Sequence, residues 1–120
     1  MPLEELFENF RDKYMGSQVN QMEFPDFPPD EEKRFRMIFT GTVQGVGFRY
    51  QAKIIAGKLG LTGYAKNLPS GQVLVEIQGQ NNRIEHFIYA MKSIRRIYIE
   101  RIEKIELPLK KEEEKFTPVY

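Results

Sequence analysis

The run Phe35-Arg36-Met37-Ile38-Phe39, followed by Gly45-Val46-Gly47-Phe48-Arg49 and then Tyr50-Gln51-Ala52-Lys53-Ile54-Ile55-Ala56, reads as an apolar strand that turns sharply into a helix. The N–H groups of a helix's first turn have no acceptor within the helix, and the positive end of its dipole faces the same way. Such a junction therefore suits an anion the size of phosphate. Two glycines let the backbone approach the anion without a Cβ in between. Arg49 adds a planar, permanently charged fork of donors that matches two oxygens of one phosphate.

Outward from this junction, Phe48, Ala52, Ile55, Ala56 and Leu59 line one face of a helix that stops at Gly60. Gly57 inside it costs about 1 kcal/mol relative to Ala, which is tolerable where the backbone lies close against a sheet. Leu61 to Lys66 reads as a short second strand and Asn67 to Gly71 as a compact loop. Val73, Val75 and Ile77 alternate as a half-buried strand, and Ile84, Phe87, Ile88 and Met91 recur at helical spacing. Another strand lies within Ile97 to Leu107, but apolar residues at 99, 102 and 105 fit no single register, so a bulge or insertion is expected. Phe116 to Tyr120 read as a last edge strand, since Pro118 cannot serve a central one. Lys110 to Lys115 form a charged run that reads as a solvated loop. The order strand, helix, strand, strand, helix, strand is the α+β, ferredoxin-like βαββαβ pattern, with two helices on one face of an antiparallel sheet.

Upstream, Leu3, Leu6, Phe7, Phe10 and Tyr14 recur at helical spacing, with Gly16 placed to end the helix. Phe24 to Lys33, with three prolines, reads as an extended linker. The expected organisation is an N-terminal extension over residues 1–33 and one domain over 34–120. The apolar face of the first helix is expected to pack on its own domain or to mediate self-association, the alternative being a frayed tail. A chain of 120 residues with 41% hydrophobic content supports one modest core. Eighteen Lys and Arg against 17 Asp and Glu give a formal charge of +1, so no global pull toward nucleic acid or anionic membrane is implied. The absence of cysteine excludes disulfides and thiolate catalysis and suits a reducing compartment. Glu4, Glu5 and Glu8 interrupt the N-terminal segment, so neither a signal peptide nor a membrane span is indicated and a cytoplasmic protein is expected.

Thr42-Val43-Gln44-Gly45-Val46-Gly47-Phe48-Arg49, then Leu59-Gly60-Leu61-Thr62-Gly63, Tyr64-Ala65-Lys66-Asn67, Ser70-Gly71-Gln72-Val73 and Gly79, resemble the acylphosphatase family over residues 34–120. The resemblance implies the same ferredoxin-like fold and an enzyme that hydrolyses small acyl phosphates to a carboxylate and inorganic phosphate, with no metal and no cofactor. It implies that the N–H groups of Gln44, Gly45, Val46, Gly47, Phe48 and Arg49, with the Arg49 guanidinium, bind the phosphate. Asn67 would orient the attacking water. It further implies that the chain's end comes near the arginine, so that the Tyr120 carboxylate helps to orient Arg49. The family's Gly-Pro stretch after the second helix is replaced here by Ser93-Ile94-Arg95-Arg96-Ile97.

Taken singly, each residue has a plainer role. The glycines could serve the turn alone, Arg49 a surface ion pair and Asn67 the chemistry of its loop. The rival to an enzyme is an acylphosphatase-like module that binds or regulates without turnover. A nucleic-acid-binding sheet is disfavoured because Gln72-Val73-Leu74-Val75-Glu76-Ile77 carries no aromatic. His86 falls outside the apolar positions of its helix and reads as a surface residue. Glu112-Glu113-Glu114 reads as solvated rather than as a metal site.

Overall fold

Strict alternation of buried Phe35, Met37 and Phe39 sets β1 (Glu32–Thr42) across the middle of a sheet, and buried Val73, Val75 and Ile77 do the same for β3 (Val73–Gln80). A computed structural model of the chain describes residues 22–120, so the amphipathic pattern of residues 3–14 lies outside the described residues. Between the two central strands come α1 (Phe48–Leu59) and β2 (Thr62–Asn67); after them come α2 (Asn81–Lys92), β4 (Tyr98–Leu107) and β5 (Phe116–Val119). The strand order is β4-β1-β3-β2-β5, with every neighbouring pair antiparallel except β2 and β5, which run parallel. The ferredoxin-like arrangement is thus the one expected, with a fifth strand on its β2 edge. Phe48, Ala52, Ile55 and Leu59 of α1 and Ile84, Phe87 and Met91 of α2 close the core over the strands' inward residues.

Several boundaries differ from the sequence reading. The first strand begins at Glu32, and Asn67 is the last residue of β2 rather than the start of a loop. The irregularity expected in the fourth strand is a bulge. Thr40 pairs with Arg101 and Gly41 with Ile99, which leaves Glu100 as the extra residue. Gly57 is exposed, and a Cβ there would meet nothing within 4 Å, so close approach to the sheet is not its reason.

The linker is a strap. Met22, Phe24 and Phe27 pack against the core, and the rings of Phe24 and Phe27 meet that of His86 edge-on at 5.4 and 5.5 Å. Asp30 Oδ2 accepts from the N–H of Asn82 at 2.8 Å, capping the first turn of α2 from outside the helix, while Asn82 Nδ2 donates to the Pro28 carbonyl. His86 is therefore half-buried rather than a surface residue, and burial lowers its pKa.

The connection from β4 to β5 has to cross the whole sheet, because the two strands lie on opposite edges. Glu113 in that crossing accepts from Arg34 Nη1 at 2.8 Å, and both side chains are largely buried. Lys110 is tied to Gln78 in both directions, through its N–H and its carbonyl. Arg34 also donates to Glu76, which accepts in turn from Arg36 and from the Tyr64 hydroxyl at 2.6 Å. The charged run expected to be solvated is thus anchored, by the Glu113 carboxylate and by the backbone of Lys110.

Two predictions arise from this architecture. Burial pushes the carboxyls of Glu76 and Glu113 up, but hydrogen bonds from Tyr64, Arg34 and Arg36 to the first, and from Arg34 and Thr62 to the second, outweigh it and hold both below the usual range. Their contribution is present above the unfolded-state carboxylate pKa and is lost as pH falls through the lower folded values. Glu113→Gln should therefore reduce unfolding free energy in urea by on the order of 2 kcal/mol at pH 7, and by less at pH 3. Gly57→Ala should raise stability at pH 7 by about 0.5–1 kcal/mol in the same assay, since nothing opposes the added methyl.

Candidate active site

The turn between β1 and α1 is built on positive φ. Gly45 has φ 74° and Gly47, the residue that caps α1, has φ 80°, conformations an L side chain rarely adopts. A Cβ on Gly45 would point into open space, so the turn presents bare backbone outward. The Gly47 carbonyl accepts the first helical bond, from Gln51 at 3.0 Å, which leaves the N–H groups ahead of it outside the helical ladder. Phe48 contributes backbone alone, because its ring is buried at 5.0 Å from that of Phe39. Val46 and Arg49 are half-buried at the rim.

Two contacts bring other elements to this turn. Gln44 Nε2 donates to the carbonyls of Leu68 and Gln72, both at 2.8 Å, and so fastens the turn to the β2–β3 loop directly after Asn67. Gln72 Nε2 in turn donates to Thr40 Oγ1 on β1. Arg49 Nη1 donates to the Val119 carbonyl at 2.6 Å, and its guanidinium carbon lies 4.6 Å from the centre of the Tyr120 ring. Val119 is paired with Lys66, the residue before Asn67, so the same strand that holds Arg49 lies beside the strand that ends in Asn67. Asn67 is half-buried, and its carboxamide makes no hydrogen bond to another described residue.

The structure thus brings Gln44 to Arg49 and Asn67 to one end of the sheet. His86 stands apart, beneath the strap on α2. Sequence reasoning assigned Gln44 only a backbone role and missed its side-chain clamp. No local signal marks it, because its acceptors lie 24 and 28 residues away. The approach of the chain's end to Arg49 is seen, through the Val119 carbonyl and the Tyr120 ring.

The glycine turn, Arg49 and Asn67 lie at one end of the sheet, and residues 35–118 match the family model described as Acylphosphatase. The chain belongs to the acylphosphatase family. It is 40% identical over 85 residues to an acylphosphatase of Lactobacillus johnsonii, an alignment that covers 71% of this chain and 92% of that one. An acylphosphatase structure from Bacillus subtilis superposes with a TM-score of 0.68 at 32% identity, covering 73% of this chain and 99% of the other. A full-length HypF structure in its phosphate- and nucleotide-bound form also superposes, with a TM-score of 0.68 at 31% identity over 79% of this chain and 13% of that chain. This fold is thus found both as nearly the whole of a solved chain and as a small part of a far larger one.

The grip on Arg49 can be tested directly. Tyr120→Ala takes away the ring over the guanidinium while keeping the Val119 carbonyl as a peptide carbonyl, leaving a wider range of Arg49 rotamers. Titration of this variant with inorganic phosphate should show severalfold weaker binding than that of the unaltered chain.

Proposed function

We propose that this chain hydrolyses the carboxyl–phosphate bond of small acyl phosphates, releasing a carboxylate and inorganic phosphate. The observation that carries the reading is the joining of the Gly45–Arg49 turn to Asn67 through Gln44 and β5, in a member of the acylphosphatase family. The N–H groups from Gln44 to Arg49 form the phosphate-binding loop, and the Arg49 guanidinium neutralises the phosphoryl charge as it redistributes in the transition state. The Asn67 carboxamide, able to accept through oxygen and donate through nitrogen, orients a water in line with the bond to be broken. Water oxygen bonds to phosphorus, the phosphorus–oxygen bond to the acyl group breaks, and the carboxylate leaves with the bonding pair. The water's proton passes to the phosphate itself, because neither Arg49 nor Asn67 is a base near neutral pH.

An acyl phosphate is a mixed anhydride with a good leaving group, so this chemistry asks for positioning and charge neutralisation rather than for a metal or a cofactor. We assign the chemistry to residues 34–120 and treat residues 1–33 as an extension outside it, since the strap docks on α2 while the turn opens at the start of α1. A chain without cysteine suits a reducing compartment, which favours a cytoplasmic setting. A module that binds without turnover would have no use for a carboxamide at Asn67, and the enzyme reading is preferred on that ground and on membership of the family.

Hydrolysis of benzoyl phosphate, followed by absorbance, should proceed equally with and without a chelator, whereas p-nitrophenyl phosphate should be nearly inert. Arg49→Gln should nearly abolish turnover and weaken phosphate binding, because a neutral amide cannot offset the charge. Asn67→Ala should instead keep phosphate affinity in calorimetry while lowering kcat by a factor of about 100 or more. Loss of activity on chelation that a divalent ion restores would overturn the mechanism.

A further inference from the structure

β4 is a ten-residue edge strand, and among the described residues no strand pairs with its outer side. A long open edge is a template for pairing with another chain, which proline, charged side chains, bulges or a covering element counter; this strand carries charges and a bulge, and what sets it apart is the order in which they fall. This one contains no proline, and it exposes two large apolar side chains, Tyr98 at 63% and Ile105 at 56%. Its charges alternate in sign along Glu100-Arg101-Ile102-Glu103-Lys104.

The pairing with β1 fixes which face each residue occupies. Ile102, Lys104 and Ile99 stand opposite Phe39, Met37 and Gly41, on the helix-covered side. Arg101, Glu103, Ile105 and Tyr98 stand opposite Thr40, Ile38, Arg36 and Thr42, on the open side. Now let a second copy of β4 lie antiparallel along this edge about a two-fold axis perpendicular to the sheet at Ile102. Ile102 then meets its own copy, and Arg101 meets Glu103 of the other chain, twice. Glu100 is the extra residue of the bulge, so beyond it the register advances by one. Ile99 then lies across from Lys104, and Tyr98 across from Ile105. Every pair falls on a common face, as antiparallel pairing requires. The two charges nearest the axis find opposite charges, and the strand's two exposed apolar residues find each other.

We propose that β4 is a self-association edge, at which two copies of this chain join their five-stranded sheets into one continuous ten-stranded sheet with the helices of both copies on the same side. The partner it fits is a second copy, because the strand's own sequence read backwards supplies this complementary order of charges and apolar residues around Ile102. The bulge contributes to this fit, since without its one-residue step Tyr98 and Ile105 would stand on the faces opposite to those their partners occupy. The edge is distinct from the proposed active site, and no residue assigned to that site lies on β4.

Sedimentation velocity of the full-length chain over a rising concentration series should show a monomer–dimer equilibrium. Arg101→Glu places Glu against Glu103 at two symmetric points and should weaken dimerisation at least tenfold. The exchange Arg101→Glu with Glu103→Arg should restore it, because the complementary order is regained in the partner. Ile105→Lys should weaken the dimer without loss of benzoyl phosphate hydrolysis or of the far-ultraviolet dichroism of the folded chain. As the chain has no cysteine, Ile102→Cys adds a single thiol at the axis, and mild oxidation should couple two copies, whereas Glu106→Cys should not couple. A single-chain species at every concentration, or a dimer indifferent to both Arg101→Glu and Ile105→Lys in folded protein, would overturn the proposal.

Discussion

Arg34 holds the crossing from β4 to β5 against the sheet, and the geometry of the site depends on that crossing. The guanidinium sits almost wholly buried between Glu76 on β3 and Glu113 in the connection, with Gln78 taking a further donor. A buried charge left unpaired is costly, and a guanidinium whose donors are shared among three acceptors has few alternative arrangements. The connection is therefore fixed as it passes over β1 and β3. Once past them, Phe116 enters the core beside Phe87, and β5 adds to β2. Only then does the Val119 carbonyl reach Arg49.

The opposite side of the site is fixed by neutral groups. Gln44 donates both of its amide hydrogens to backbone carbonyls of the β2–β3 loop, and Gln72 links that loop to Thr40. A carboxamide used in this way fastens the glycine turn without adding a charge to it. Arg49 remains the cation of the turn, its Nη1 donating to the Val119 carbonyl and its guanidinium lying over the Tyr120 ring. Electrostatic stabilisation depends on donors already aimed before the charge moves, and the two loops to which we assign that role are pinned by the protein's own side chains.

Much of this fold is legible in the sequence because its signals are local. Alternation at Phe35, Met37 and Phe39, helical spacing at Ala52, Ile55 and Leu59, and the glycines at 45 and 47 each declare an element within a few residues. The turn and Arg49 are visible for the same reason, whereas the role proposed for Asn67 rests on resemblance to a family. What local pattern could not supply were partnerships across the chain. Glu113 looks like any glutamate in a charged run, and its partner Arg34 lies 79 residues earlier. His86 looks exposed until the strap from Phe24 to Phe27 is laid over it. The missing period in the fourth strand was legible as a disturbance, but its place at Glu100 is set by pairing with β1.

The hydrogen bond from Arg49 to Val119 spans 70 positions of sequence. On a ribosome adding roughly 5–20 residues per second, the arginine is therefore made several seconds before the carbonyl that orients it. Through that interval α1 and the central strands can collapse around their shared core, yet the guanidinium has no β5 to hold it. Competence of the turn is then a late event in the life of each chain, coupled to the arrival of its final strand. A nascent chain can be folded in the main before it is ready to act.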